Sequence, residues 1–424
     1  MKDVSATVWA GHPAGTPGHR RLVLGLMAGG LANFSLMYYV QPLLPLLARH
    51  YQVSTADSAH ALSATTLTMA FGLLLMGPLA DRIGRVPLMR WSLLTSGVIG
   101  IVSAVIPSWD GLVIVRALLG LSLAGFPVAA LAYLREEVLA ADHLRTNAAY
   151  IAGTALGGAV GRLLPGPLAE LGGWPLASLV MSGITLSAGL VLVLLLPQSR
   201  RFEPHRPSTR EVLLGVVSAP RDPVVALLCV AAFVANGTFV GVYNAIGFRL
   251  QAPPFSLGVG ASLLYLAYPV GIAAPGIARR LADRNGRGLA AVITFAALGV
   301  AVMAISLPSL VAMFVGLGAV TFVFLGLHSL LSGWVVDRAR RRGRGTAQAS
   351  GAYLLAFYTG STLAGALATS LWAGTGWLGV ELMGLLLCAI GVGVAALANS
   401  SDRGAVRPAA VTEPAEPEVS DAAN

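Results

Sequence analysis

Leu79-Ala80-Asp81-Arg82-Ile83-Gly84-Arg85 recurs 202 residues later as Leu281-Ala282-Asp283-Arg284-Asn285-Gly286-Arg287. Each copy sits in a short polar break between two apolar stretches. Asn33 and Asn236 repeat at nearly the same spacing, 203 residues. One chance heptapeptide would carry little, but two at equivalent places imply a duplicated unit. In a chain of apolar segments they point to two halves related by an axis along the membrane normal.

The surrounding composition supplies the membrane. Of 424 residues, 56% are hydrophobic and 11% charged, and the mean hydropathy is +0.75. A soluble chain carries roughly 25% charged residues, so too few remain here to solvate a globule. The apolar residues fall in runs suited to a hydrocarbon layer about 30 Å thick. They predict Leu22–Leu47, Ala59–Leu79, Leu88–Ile106, Gly111–Leu134, Ala148–Leu168 and Trp174–Leu196 in the first half. The second half is predicted as Val224–Phe248, Leu257–Ile277, Leu289–Leu307, Leu310–Val336, Ala347–Leu371 and Leu378–Leu397. The expectation is an all-α membrane protein of 12 transmembrane helices in two six-helix pseudo-symmetric halves. It divides into an N-terminal segment 1–21, a first half 22–197, a linker 198–222 with five Arg, a second half 223–398 and a disordered tail 399–424.

The net charge of +9 belongs to topology and not to nucleic acid. With the N-terminus inside, Arg49 and Arg249 fall at the outer face and Arg116 and Arg162 within spans. Every other Lys and Arg then lies on the cytoplasmic side, as the positive-inside rule requires. Both termini are therefore expected in the cytoplasm. Cys229 and Cys388 lie inside spans and read as packing residues. No metal-ligand spacing, phosphate loop or nucleophile motif occurs, so no metal, cofactor or enzymatic activity is expected. A membrane-embedded enzyme would need such a cluster at one face, and a sensor would need a soluble output domain.

Gly77-Pro78-Leu79-Ala80-Asp81-Arg82-Ile83-Gly84-Arg85 resembles the cytoplasmic loop motif of the major facilitator superfamily. Arg116 followed by Gly120 matches that family's motif with an intramembrane Arg. Gly153, Gly157, Gly158, Gly161 and Arg162 resemble the antiporter motif of its efflux branches, with Gly158 in place of a Pro and Arg162 in place of the last Gly. With Tyr39-Val40-Gln41-Pro42, the pattern is most similar to the bacterial drug-and-sugar efflux permeases. The resemblance implies a monomeric inner-membrane exporter of a small solute that works by alternating access, with protons as the coupling ion. An importer or uniporter of the same fold is the alternative.

Roles follow for named residues. Asp81 and Asp283 either gate or anchor. As gates, each carboxylate would act on a helix N-terminus, a contact of about 0.3–1 kcal/mol when exposed and up to about 2 when partly buried. The resemblance sets Asp81 against the start of the eleventh span and Asp283 against the start of the fifth. Gly77, Arg82, Gly84, Arg85, Glu136, Arg284, Gly286 and Arg287 complete the two loops, with Arg85 and Glu136 expected to pair. Gly153, Gly157 and Gly161 share one helix face, as static packing or as a bending seam. Arg116 and Arg162 are expected about 8–9 Å deep from the outer face. With no carboxylate inside the spans of their half, they either bond backbone carbonyls or, with Gln41, meet an anion. The cavity candidates are Asn33, Tyr38, Tyr39, Gln41, Arg116, Arg162, Asn236, Tyr243, Asn244, His328, Tyr353 and Tyr358, and the proton-coupling candidates are His328 and Glu381.

Overall fold

A computed structural model describes residues 10–200, 202–204 and 208–404. Eleven helices among these are long and apolar enough to cross a membrane. In chain order with one further helix they are α1 Pro17–Tyr51, α2 Thr55–Ile83, α3 Arg85–Ser103, α4 Trp109–Glu137, α5 His143–Leu163, α6 Pro165–Leu195, α7 Pro223–Gln251, α8 Ala261–Asn285, α9 Arg287–Ser306, α10 Leu310–Arg341, α11 Thr346–Thr375 and α12 Trp377–Gly404. The further helix is α5, which at 21 residues is long enough to cross but is not one of the eleven apolar helices.

Local chemistry sets the boundaries. Thr16, Ser108 and Asp222 cap α1, α4 and α7 with side-chain oxygens that accept backbone N–H groups, the groups a helix start leaves unbonded. The sixth residue of each copy of the repeated motif is a glycine with positive φ, +97° at Gly84 and +80° at Gly286. A side chain is strained there, and the next helix starts at the following residue. Pro42 breaks α1 into a 3₁₀ turn at Gln41–Leu43, which leaves Gln41 at a bend inside the bundle.

Two expectations need correction. The fifth helix ends at Leu163 and not at Leu168, because Pro165 opens α6, in the position where its missing N–H is least harmful. That helix then turns at Gly172 and Gly173, where Gly173 has φ +70°, before Trp174. The last helix does not stop before a tail at 399. It continues to Gly404, because Asp402 accepts from Trp334 Nε1 at 2.9 Å and pairs with Arg338 and Arg341, each at 2.8 Å. Of the expected N-terminal segment and tail, residues 1–9 and 405–424 lie outside the described residues.

The closest packing joins α1 to α5 and α7 to α11. A Cβ on Gly153, Gly157 or Gly161 would lie 2.6, 2.3 and 2.6 Å from the carbonyl oxygens of Met27, Leu31 and Ser35. The second half repeats the arrangement, with a Cβ on Gly360 2.1 Å from the Phe233 carbonyl. Bare backbone meets bare backbone in both halves, the form of association that lipid favours. The halves meet along α2 with α11 and α5 with α8. A short linker helix, Thr209–Ser218, rests on α11 and α2 and buries Val216.

Gly157→Ala should therefore force α1 and α5 apart and destabilise the protein by about 1–3 kcal/mol, seen as a lower melting temperature in detergent. Gly183→Ala, with nothing within 4 Å of its added methyl, should melt with the wild type.

Candidate functional site

At the bend of α1 a chain of polar side chains crosses from one half to the other. Arg162 of α5 is fully buried. Its Nε donates to Gln41 Oε1 at 2.7 Å, and Nη1 donates to the Gly158 carbonyl at 2.9 Å. Gln41 Nε2 donates in turn to Asn244 Oδ1 on α7 at 2.7 Å, and Asn244 Nδ2 to the Gly365 carbonyl on α11 at 3.3 Å. Four helices of both halves are thus tied by one hydrogen-bonded path. Aromatic rings enclose the guanidinium. Its carbon lies 4.0 Å from the Tyr38 ring centre, 4.8 Å from Tyr268, 5.0 Å from Tyr243 and 5.9 Å from Phe239. These distances allow cation–π attraction. Arg162 Nη2 makes no hydrogen bond.

Arg116 resolves the same problem differently. Its Nε donates to the Ala61 carbonyl at 2.9 Å, Nη2 to Met37 at 2.8 Å and Nη1 to Leu36 at 3.4 Å. The Tyr39 ring centre lies 5.1 Å away. All three nitrogens are engaged by backbone, so the two arginines do not converge on a common ligand. Tyr39 itself shares a hydrogen bond with Ser178 at 2.8 Å.

Deeper in the second half an aromatic stack continues from the cage. Phe239 and Phe324 lie 4.0 Å apart, and His328 follows at 4.5 Å from Phe357. His328 Nδ1 and the Tyr353 hydroxyl are 3.0 Å apart, and Tyr358 stands edge-on to Phe357. Tyr243 bonds Thr321 at 2.5 Å. Asn33 donates to the Leu123 carbonyl at 2.8 Å and Asn236 to that of Phe357 at 2.9 Å, so both repeated asparagines brace neighbouring helices. Glu381 stands apart from the cage, near Arg249.

The motif loops form ion pairs within each half. Arg85 pairs with Asp81 at 2.6 Å and with Glu136 at 2.9 Å. In the second half Arg287 pairs with Asp337, the counterpart of Glu136, while Asp283 is 3.8 Å from Arg279 and largely exposed. Among the described residues, neither Asp81 nor Asp283 makes a hydrogen bond or ion pair with the start of α11 or α5. Arg82 and Arg284 are exposed and Gly77 faces open space. At the opposite end of the bundle the halves do bond each other. Arg49 Nη1 donates to Gln251 at 2.9 Å and Thr369 Oγ1 to the Ala56 carbonyl at 3.5 Å, while Thr66 meets Thr362 at 3.1 Å nearer mid-span.

Several contributors escaped the sequence reading. Tyr268, Phe239 and Tyr265 line the cage region, but nothing distinguishes them from other aromatic residues in apolar runs. Arg249, expected at the outer face, is buried among helix ends, with its Nη2 donating to the Ser306 carbonyl at 2.9 Å and its guanidinium 4.4 Å from the Trp377 ring. Its position one residue beyond the predicted span concealed that the helix continues.

Residues 26–364 match the family model described as Major Facilitator Superfamily. The chain is 34% identical over 367 residues to the inner membrane transport protein YnfM of Escherichia coli (strain K12), an alignment covering 86% of this chain and 87% of that protein. It is 33% identical over 368 residues to an uncharacterized MFS-type transporter, YybF, of Bacillus subtilis (strain 168), covering 86% and 90%. A more partial match, 28% over 243 residues and 54% of this chain against 50% of the other, is to the 4-hydroxybenzoate transporter PcaK of Pseudomonas putida. The fold is shared with the nucleoside transporter NupG, with a TM-score of 0.71 at 14% identity over 90% of this chain and 99% of that one. It is shared also with an inward-facing bacterial homologue of the lysosomal transporter Spinster, with a TM-score of 0.69 at 15% identity over 92% and 98%.

Arg116→Gln should leave backbone carbonyls of α1 and α2 unpaired in a dry interior, at ~3 kcal/mol. Equilibrium unfolding in mixed micelles should show that loss of stability.

Proposed function

We propose that this chain, which belongs to the Major Facilitator Superfamily of membrane transporters, exports a small solute across the bacterial inner membrane in exchange for protons. The observation that carries the reading is the path Arg162–Gln41–Asn244–Gly365, which is buried and joins the two halves through side chains. A contact of this kind forms when the halves close at that end and breaks when they part, as alternating access requires. A solute that changes its strength biases one state over the other.

Counting α5 with the eleven apolar helices gives twelve crossings and puts both ends of the chain on one side. The concentration of Arg on the motif side makes that side cytoplasmic. The Arg49–Gln251 and Thr369–Ala56 contacts then close the outer face. In the complementary state Asp81 would leave its pair with Arg85 and face the first turn of α11, as the resemblance implies. Export by proton exchange draws its support from the glycine face of α5, Gly153, Gly157 and Gly161, which resembles the antiporter motif. His328 and Glu381 are the proposed proton carriers. A second reading, a uniporter, is favoured by a specific observation: among the described residues the only fully buried carboxylates, Glu137 and Asp222, sit at helix ends and not within the membrane interior.

Two experiments test this. Asp81→Asn should abolish most transport in proteoliposomes while expression and insertion stay at wild-type levels, and an unchanged rate would remove the gate. In sealed everted vesicles, adding a transported compound from a panel should release protons from the loaded side. Flux indifferent to a protonophore and to an imposed pH gradient would establish the uniporter.

A further inference from the structure

We infer that Arg162 and Tyr265 are the two polar points of a binding site for a small organic monoanion with a flat apolar body, of which an aromatic monocarboxylate is the simplest. The inference rests on the transporter reading above and names the class of solute that the central site takes.

Arg162 comes first. A guanidinium carries five N–H donors, and only Nε and Nη1 have acceptors here. Nη2 is buried with no partner. The open edge of the fork is the one a carboxylate takes with two parallel hydrogen bonds. No carboxylate among the described residues pairs with this cation. Its neighbours are the Gln41 amide, a backbone carbonyl and the rings of Tyr38, Phe239, Tyr243 and Tyr268. A charge held this deep without a counter-charge is unfavourable, and an arriving anion would supply what is missing.

Tyr265 is the second, independent observation. It is buried, and its hydroxyl also has no hydrogen-bond partner. Its ring stacks on Tyr243 at 5.7 Å, and the Arg162 guanidinium lies 5.0 Å from that same Tyr243 ring. Two unsatisfied donors thus flank one aromatic ring. Tyr265 also lines a recess of about 240 Å³ between the ends of α1 and α7 and the starts of α6 and α8, with Arg49 and Glu170, one charge of each sign, among its other lining residues. The recess leads from the end of the bundle opposite the motif loops to the ring that borders the cage.

The walls choose the rest of the ligand. Aromatic faces attract cations or flat apolar groups, and Arg162 already occupies the cationic position. A cationic solute would meet a fixed like charge. A dianion would bring a second charge that nothing near Arg162 neutralises. A single negative charge on a planar apolar body satisfies the open fork, the free hydroxyl and the rings together.

The test uses the full chain in lipid nanodiscs with benzoate as the probe, read by calorimetry and by melting temperature. Benzoate should bind and raise the melting temperature. Benzamide and benzylamine, of similar shape but neutral and cationic, should bind at least tenfold more weakly, and so should acetate, which lacks the ring. Arg162→Lys keeps the charge and loses the fork, and should weaken benzoate at least tenfold. Tyr265→Phe removes a hydroxyl that bonds nothing, so it should melt no lower than the wild type without ligand yet bind benzoate at least threefold more weakly. This second variant decides the matter if Arg162→Lys folds poorly. Benzamide binding as tightly as benzoate, or wild-type benzoate affinity in Tyr265→Phe, would overturn the site. Flux assays in proteoliposomes separate the two readings. Transport of other compounds without benzoate binding would remove the site alone, whereas Tyr265-dependent benzoate binding with no flux of any compound would remove the transport reading and leave the site.

Discussion

No water is at hand inside a bilayer to satisfy a polar group, so each one in this bundle must find its partner within the chain. That constraint explains why two arginines on consecutive helices end so differently. Arg116 reaches the carbonyls of Leu36, Met37 and Ala61, which the bend of α1 and the first turns of α2 bring close. It is finished as a structural brace. Arg162 reaches one amide and one carbonyl and fills the rest of its shell with aromatic faces, which attract a cation but accept no directed hydrogen bond. The same residue type therefore serves as scaffold in one place and leaves donors open in the other.

The close approach of α1 to α5 is what brings Arg162 to Gln41. With side chains at Gly153, Gly157 and Gly161 the backbones of Met27, Leu31 and Ser35 could not come within contact, and the guanidinium would miss the bend at Pro42. The second half has the same close pair in α7 and α11 but no arginine at the corresponding place, and instead contributes Asn244 and rings. The duplicated frame is symmetric while its chemistry is not. The first half supplies the charge and the second supplies the aromatic wall.

Much of the frame was legible in the sequence. The repeated LADRxGR motif located the two tight turns, because only glycine adopts the backbone needed at Gly84 and Gly286. The pairing of Arg85 with Glu136 was expected from the motif loop, whereas its counterpart Arg287–Asp337 came to light only in the structure. Arg116 and Arg162 stood out because charge is expensive in a span. The remainder was hidden for physical reasons. Helix ends depended on Pro165 and on ion pairs to Asp402 made by residues more than sixty positions away. Whether an arginine is satisfied by carbonyls or left open depends on which backbone faces it, and neighbouring apolar runs look alike in one dimension. Tyr268, Phe239 and Tyr265 belong to a cage only because α7 and α8 pack beside α5.

Arg162 draws its hydrogen bonds from its own half and three of its four rings, Phe239, Tyr243 and Tyr268, from the other. Parting the halves at this end would therefore strip away most of the aromatic shell and the Gln41–Asn244 bond while leaving Gln41 and Gly158 in place. The exposed guanidinium would then be hydrated and screened, with a weaker hold on any single anion. Closing the halves returns it to a dry setting in which the same charge acts at lower dielectric. In the proposed anion site, affinity would thus be tied to the position of the halves through one side chain, without any residue having to travel far along the membrane.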